Sequence, residues 1–283
     1  TNAAVISALL RSYEVVVAAV TGHISTHEAG AIELGGHKVL TLPEQAGKIT
    51  ASALRELLSR YMADETRDHM VKPGMVYISQ PTESGTLYAR AELQEISGVC
   101  REYGLPLYLD GARLAYALAC PSNDVSLQEL AELCDVFYIG GTKCGALFWE
   151  AVVIPKRGFI PHFFTIMKQH GALLAKGWLL GLQFDVLFTD GLYLKVGKAA
   201  IAAAGRIRAT LREYGYQLCW DTPANQVFVI LENAQMKRLA ESVEFSFWEK
   251  YDATHTVIRL AASWATTEED TEKLLVVLKE NVV

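Results

Sequence analysis

Lys143 stands at the end of a run of apolar, β-favouring residues, in the stretch YIGGTKCGALF at 138–148. Its neighbours are glycines and other small residues, which leave the amine little cover from adjacent side chains. A lysine that is partly buried near other positive charge loses its proton readily. Its neutral amine can then form a Schiff base with a carbonyl compound. The sequence therefore predicts a reactive amine at position 143.

Asp110 ends another apolar run, LPLYLDGA at 105–112, one strand–helix–strand step before Lys143. The carboxyl ends of parallel strands meet at one edge of a sheet, where ligands bind. A carboxylate there can keep the ring nitrogen of pyridoxal 5'-phosphate protonated, so that the ring accepts electrons, while the lysine binds its aldehyde. We interpret the pair as a site for this cofactor. The residues alone leave a simpler interpretation open, in which Lys143 is a solvated loop residue and DGAR at 110–113 is a turn before a helix.

Further polar residues follow neighbouring predicted strands and are expected at the same edge of the sheet. His23 follows the first run, residues 79–82 follow the third, and Arg113 comes just after Asp110. We therefore expect Asp110, Arg113, His23 and Lys143 at the same edge of the sheet.

The elements that position these residues are short β-rich runs alternating with helix-length amphipathic segments. Most runs are consecutively apolar, which is typical of strands covered on both faces. Thr50 and the capping-box pair Ser126 and Glu129 mark helix starts. The alternation predicts an α/β fold with a mainly parallel sheet sandwiched by helices. The predicted strands are at 14–20, 37–43, 75–81, 105–112, 135–141 and 150–155.

The pattern changes after Pro155. Residues 159–214 read as two or three long helices, broken near TDG at 189–191. Short β runs and a final helix at 267–281, with an acidic first turn, then suggest a small sheet covered by a helix. We predict a large α/β domain over residues 1–190 and a small C-terminal α+β domain over 191–283.

Composition narrows the possible functions. Half of the 283 residues are hydrophobic, a fifth are charged, and the net charge is −6, which argues against a nucleic-acid or anionic-membrane surface. No apolar run is long enough for a membrane helix. The five cysteines form no CxxC pair and no zinc-like cluster with histidine. We therefore expect no metal site, and free thiols in a reducing, cytoplasmic setting.

The chain resembles the low-specificity L-threonine aldolases, which belong to the beta-eliminating lyase superfamily of fold-type-I (aspartate-aminotransferase-like) pyridoxal-phosphate enzymes. The resemblance implies a PLP-binding large domain with a seven-stranded type of sheet. The stretches that carry it occur in family order over nearly the whole chain: GHISTHEAGA (22–31), GMVYISQPTESGT (74–86), LPLYLDGARLAYAL (105–118), YIGGTKCGA (138–146), HGALLAKGWLLGLQF (170–184) and VIRLAASWATTEED (257–270).

This resemblance implies a role for each matching residue at the cofactor. Lys143 would carry the cofactor as a Schiff base and later move protons, and Asp110 would pair with the ring nitrogen. Arg113 would lie near the phenolic oxygen. His23 would stack on the ring and help to deprotonate the β-hydroxyl of the substrate. Thr142 would supply a hydroxyl to the cofactor's phosphate.

On the substrate side, the resemblance implies that Arg259 holds the amino-acid carboxylate through a two-pronged guanidinium contact. Thr82 would add a hydroxyl contact to the substrate. His27 follows His23 by one helical turn, and its role stays open between the site and the scaffold. Trp178 stands where many bacterial members have a basic residue that reaches the phosphate.

The start of the chain also bears on the site. TNAAVISALL reads as a helix already under way, and the Gly-Thr phosphate loop of the family would lie ahead of Thr1. We therefore expect further residues upstream.

The implied reaction is cleavage of L-threonine or L-allo-threonine to glycine and acetaldehyde in a homodimer or homotetramer. Another PLP-dependent reaction, β-elimination or transamination, stays open, because it would use the same Asp110 and Lys143. An inactive paralogue with a binding role also stays open. A nucleotide-binding α/β protein is disfavoured, since the chain has neither GxGxxG after a strand nor GxxxxGK[ST].

Overall fold

Six strands form the larger sheet in the computed structural model, which describes residues 1–281. The strand order is β2-β1-β3-β4-β5-β6; all neighbours are parallel except β5 and β6. The strands are β1 (Glu14–Ala19), β2 (Val39–Leu42), β3 (Lys72–Ser79), β4 (Leu107–Asp110), β5 (Val136–Gly140) and β6 (Glu150–Val153).

The predicted mainly parallel sheet is confirmed, with six strands in the described residues, one fewer than in the seven-stranded type. Each predicted run contains most or all of one strand. The apolar runs predict these strands because helices cover both faces of the sheet. All six residues of β1 and all five of β5 are buried as a result.

Helices flank this sheet. Thr50 caps α4 as predicted, since its side chain accepts a hydrogen bond from the backbone N–H of Ala53. Ser126 and Glu129 form the predicted capping box of α7. The helices are α1 (Asn2–Leu9), α2 (His23–Thr26), α3 (Ala31–Leu34), α4 (Ala51–Ala63), α5 (Arg90–Tyr103), α6 (Leu114–Ala119) and α7 (Leu127–Leu133), with a 3₁₀ turn at Arg67–His69.

After β6 the chain is helical, as predicted: α8 (Phe163–Gln169), α9 (Trp178–Phe188) and α10 (Leu192–Glu213). The predicted break lies at the 3₁₀ turn Thr189–Gly191, where Asp190 and Gly191 have positive φ angles of 52° and 65°. Even the 22-residue α10 is not apolar enough to cross a lipid bilayer, nor is any other helix within residues 1–281.

A second, antiparallel sheet follows in the order β7-β8-β10-β9. Helix α10 contacts α6 beside the first sheet and α12, β7 and β8 of the second part, so one hydrophobic core includes residues of both sheets. The boundary near residue 190 stays a prediction. The elements are β7 (Gln217–Leu218), β8 (Gln226–Glu232), α11 (Asn233–Leu239), β9 (Ser246–Lys250), β10 (His255–Ala261) and α12 (Glu268–Glu280).

Candidate active site

A cavity of about 240 Å³ opens at the carboxyl ends of β3, β4 and β5. It brings together Lys143, Asp110, Arg113 and His23, four of the residues expected there. The remaining lining residues are Thr1, Asn2, Glu28, Ser79, Pro81, Glu83, Ala112, Tyr138 and Glu150.

Asp110 is fixed at the end of β4 with only 4% of its surface exposed. Oδ1 accepts hydrogen bonds from the Ala112 backbone N–H at 2.9 Å and from the Tyr138 hydroxyl. Oδ2 accepts from the Tyr77 hydroxyl at 2.6 Å and from the Asn2 amide at 2.9 Å. Donors on both oxygens hold the carboxylate in one fixed orientation.

Two glycines bring the ends of β4 and β5 together. A Cβ on Gly111 would lie 2.0 Å from the carbonyl oxygen of Tyr138, and one on Gly140 would lie 2.3 Å from that of Ala112. The Gly140 N–H donates to the Gly111 carbonyl at 2.9 Å. Gly140 is thus packed against the neighbouring strand end. This close approach places Asp110 and Lys143 on the same cavity.

Lys143 extends into this cavity, where solvent reaches it through the open mouth. Desolvation by the surrounding protein atoms lowers its pKa, and the positive charge of Arg113 lowers it further. The negative charges of Asp110 and Glu150 oppose this shift without reversing it. The Tyr116 hydroxyl donates to the backbone carbonyl of Lys143 and accepts from the Trp264 N–H at 3.2 Å. The surroundings of Lys143 therefore make its amine easier to deprotonate than an ordinary lysine.

His23 begins α2 and is oriented by Glu28. The two are 2.9 Å apart, from Nδ1 to Oε1, and Glu28 Oε1 also accepts from the Asn2 amide at 2.6 Å. The hydrogen bond with Glu28 raises the pKa of His23. Because Nδ1 is occupied, Nε2 is left for other contacts. His27 stacks on His23 with ring centroids 5.8 Å apart and does not line the cavity.

Two more carboxyls face the cavity. Glu83 Oε1 accepts from the Ser79 hydroxyl at 2.7 Å and from the His23 backbone N–H at 3.0 Å, and desolvation raises the pKa of Glu83. Glu150 accepts from the Gly141 N–H at 3.2 Å. Desolvation, opposed by that hydrogen bond, raises the pKa of Glu150 to about 7. The cavity therefore holds one carboxyl, Glu150, that can carry a proton near neutral pH, and a second, Glu83, that is more basic than usual.

Arg259 lies on β10, outside the lining of this cavity. Its guanidinium donates to Gln226 Oε1 at 3.0 Å and to Ser246 Oγ at 3.2 Å, and it lies 5.5 Å from the ring centroid of Trp248. Its Nε is buried and has no hydrogen-bond partner within residues 1–281. The charge of Arg259 contributes to lowering the pKa of His27, after desolvation and His23. Arg259 thus lies on the His23–His27 side of the site.

Three further residues singled out in the sequence lie away from the cavity lining. Thr82 is buried, and its hydroxyl is 2.7 Å from that of Thr86. Thr142 is exposed and donates to the Trp149 carbonyl at 3.5 Å. Trp178 begins α9 and is 65% exposed.

The residues present fit pyridoxal phosphate. A lysine with a lowered pKa, an arginine and a buried carboxylate share one cavity. Its volume is about 240 Å³, somewhat below the roughly 300–1,000 Å³ that is usual for drug-sized ligands. Lys143 and Asp110 would hold the aldehyde carbon and the ring nitrogen, and Arg113 would face the phenolic oxygen.

Sequence reasoning missed several residues of this site. Tyr77 could have been found, because residues two apart in a strand share a face, and Tyr77 precedes Ser79, which is in register with Asp110. Tyr138 also follows from register, since Leu109 pairs with Phe137. Glu28, Glu83 and Asn2 gave no such signal, because their positions depend on tertiary packing.

Comparison with known proteins gives consistent matches over most of the chain. Residues 1–244 match the family described as beta-eliminating lyase. A low specificity L-threonine aldolase of a Pseudomonas species is 31% identical over 281 residues, covering 96% of this chain and 78% of that protein. A second, from Pseudomonas aeruginosa, is 32% identical over 245 residues, covering 84% and 68%. The structure of Leishmania major threonine aldolase matches with a TM-score of 0.95 and 44% identity, covering 100% of this chain and 81% of that one.

Proposed function

The chain belongs to the beta-eliminating lyase family, and from that premise we propose that it is a pyridoxal-phosphate-dependent threonine aldolase. Its reaction is cleavage of the Cα–Cβ bond of L-threonine or L-allo-threonine to glycine and acetaldehyde. The two Pseudomonas relatives and the Leishmania major structure support this reaction. The observation that carries it is that the buried carboxylate of Asp110 and the amine of Lys143 line one cavity.

The chemistry divides between cofactor and chain. When bound, pyridoxal phosphate supplies the electron sink that takes up the bonding pair of the breaking Cα–Cβ bond. Asp110, held in place by donors on both oxygens, would pair with the ring nitrogen. Lys143 would hold the cofactor through its neutral amine, would give up that bond to the substrate's amine while taking the proton that the substrate's ammonium group loses, and would later deliver that proton to Cα.

Arg259 is proposed to bind the substrate carboxylate, and its unpartnered Nε supports this, because a buried donor gains from an anionic acceptor. Fixing the carboxylate orients the bond that breaks. His23 is proposed to stack on the ring and to help with deprotonation of the β-hydroxyl through Nε2. The roles suggested for Thr142 and Thr82 remain predictions without a supporting contact on the cavity.

The test is a product assay on the purified protein loaded with the cofactor. L-threonine should yield acetaldehyde and glycine in equal amounts, and Lys143→Ala should lose both this activity and the visible absorbance of the bound cofactor. Lys156→Ala, at an exposed position outside the cavity, is the matched control and should keep both. A keto acid as the product, or unchanged turnover in Lys143→Ala, would contradict the proposal.

The assembly and location are proposals of the same kind. An exposed apolar row on α9 supports a homodimer or homotetramer: Trp178 is 65%, Leu182 52% and Val186 52% exposed. The five cysteines are all free, which supports a reducing, cytoplasmic location. The amino-acid substrate is the partner at the site itself.

A further inference from the structure

Glu83 is a carboxyl on the cavity that the steps above do not use. It follows Pro81 and Thr82 in the segment after β3, and it lines the same cavity as Lys143 and His23. Its side chain is partly buried. Glu83 is therefore placed to meet a molecule bound there.

The two oxygens of Glu83 differ in their surroundings. Both hydrogen bonds that other described residues give to this carboxyl end on Oε1, from the Ser79 hydroxyl at 2.7 Å and the His23 N–H at 3.0 Å. These bonds fix the orientation of the carboxyl. Oε2 accepts no hydrogen bond from another described residue, and the residue lines the cavity.

Asp110 and His23, which line the same cavity, are less suited to accepting a proton. Asp110 already accepts bonds from four donors, so its lone pairs are engaged. The hydrogen bond with Glu28 raises the pKa of His23, which favours the form that has no free lone pair. Burial raises the pKa of Glu83, which makes its carboxylate more basic than usual, and the charge of Asp110 adds to this. The other titratable groups that face Glu83 are the phenols of Tyr77 and Tyr88.

We propose, on the basis of the aldolase function above, that Glu83 Oε2 takes the proton of the substrate's β-hydroxyl as the Cα–Cβ bond breaks. His23 Nε2 orients that hydroxyl. The O–H bond breaks and an O–H bond to Glu83 forms, while the β-carbon leaves as the aldehyde and the Cα–Cβ pair enters the electron sink. Cα then takes a proton from Lys143, and the proton on Glu83 returns to Lys143, directly or through solvent, so both residues regain their starting protonation.

The test compares two reactions of the loaded enzyme, because only one of them needs this proton acceptor. Threonine cleavage removes a hydroxyl proton, whereas exchange of the glycine α-proton in D₂O does not. Glu83→Gln keeps an acceptor for Ser79 and His23 but cannot take a proton. We expect its kcat for threonine cleavage to fall about 10²–10⁴-fold, with glycine exchange and cofactor absorbance within about threefold of wild type.

Two variants and one titration accompany this comparison. Glu83→Asp keeps a carboxylate and should cleave threonine at least tenfold faster than Glu83→Gln. Glu95→Gln neutralises an exposed carboxylate outside the cavity and should match wild type. In ¹³C-glutamate-labelled protein without cofactor, the resonance missing from Glu83→Gln should titrate above the ordinary glutamate pKa.

Each contrary result overturns either the role of Glu83 or the aldolase function. Wild-type cleavage by Glu83→Gln, no gain in Glu83→Asp, or a Glu83 pKa at or below the ordinary value overturns the role of Glu83. Loss of glycine exchange together with cleavage in Glu83→Gln also overturns it, because the residue would then be structural. Wild-type protein that exchanges glycine but forms no acetaldehyde overturns the aldolase function instead.

Discussion

The hydroxyl of Tyr77 donates a hydrogen bond to Asp110 Oδ2 at 2.6 Å, and both side chains are buried. Tyr77 is the first of three tyrosines on one face of the sheet, with ring centroids 5.7 Å apart from Tyr77 to Tyr108 and 6.4 Å apart from Tyr108 to Tyr138. The Tyr108 hydroxyl donates to the side-chain oxygen Oδ1 of Asn2 at 2.7 Å. The carboxylate of Asp110 is thus held by a layer of phenols under the cofactor site.

Tyr77→Phe tests this layer. Removing the hydroxyl leaves Oδ2 with Asn2 as its only protein donor among the described residues. Because a hydrogen bond to a charged group is worth about 1.5–3 kcal/mol, the free energy of unfolding should fall by about that amount in urea titrations. Tyr13→Phe, at a side chain that is 58% exposed, is the control and should change it by less than about 0.5 kcal/mol. Equal stability of the two variants would show that the Tyr77 bond contributes nothing.

The Glu28–His23 pair predicts a specific order of histidine titrations. The hydrogen bond with Glu28 raises the pKa of His23, whereas burial lowers that of His27. NMR titration of the protein without cofactor should therefore give His23 a pKa above about 6.5 and His27 one below it. In Glu28→Gln, the pKa of His23 should fall, since the charged acceptor is gone.

The same pair has a consequence for stability. A folded-state pKa that is raised contributes stability below the unfolded value, and this contribution is lost as the pH rises through the folded value. Glu28→Gln should accordingly destabilise the protein more at pH 6 than at pH 9. An equal loss at both pH values, or an unchanged His23 titration, would mean that the pair makes no charged contact.

Much of the fold could be predicted from the sequence. Buried parallel strands need consecutive apolar residues, as β1 and β5 show, and helix starts need polar caps such as Thr50. The antiparallel direction of β6 could not be predicted from its residues, because parallel and antiparallel strands of four residues have similar sequences. Its short connection to β5 was the available signal, since parallel neighbours need a longer crossover.

The site could be predicted only where topology fixes position. Asp110 and Lys143 were found because residues at the ends of parallel strands must share an edge. Glu83 carries the same charge as any loop carboxylate, and only the packing of α2 against the segment after β3 brings it to His23. The position of Arg259 relative to the cavity depends on how the second sheet lies beside the first, and no local sequence pattern encodes that arrangement.

Replacing Glu150 by glutamine should stabilise the folded protein at high pH more than at low pH. Desolvation, opposed by a hydrogen bond from Gly141, raises the pKa of Glu150 to about 7, whereas the unfolded chain has an ordinary carboxyl. Ionising Glu150 therefore costs stability that grows as the pH rises from about 4.5 to about 7 and is complete above that. Glu150→Gln should raise the free energy of unfolding of the cofactor-free protein by about 1–3 kcal/mol at pH 8 and by much less at pH 5. Urea titrations at both pH values measure this, and Glu95→Gln should show no such difference.

The apolar row on α9 predicts the effect of a charge on assembly. Trp178, Leu182 and Val186 recur every four residues, so they share one face of the helix. We expect a second copy to cover this face, so light scattering of the wild type should give a multiple of the 31.2 kDa chain mass. Leu182→Glu should shift the protein towards the mass of one chain, because burying an unpaired carboxylate is costly. Val276→Glu, at an exposed apolar residue of α12 that is 51% exposed, should leave the assembly unchanged. A monomeric wild type, or an unchanged mass in Leu182→Glu, would contradict an interface on this face.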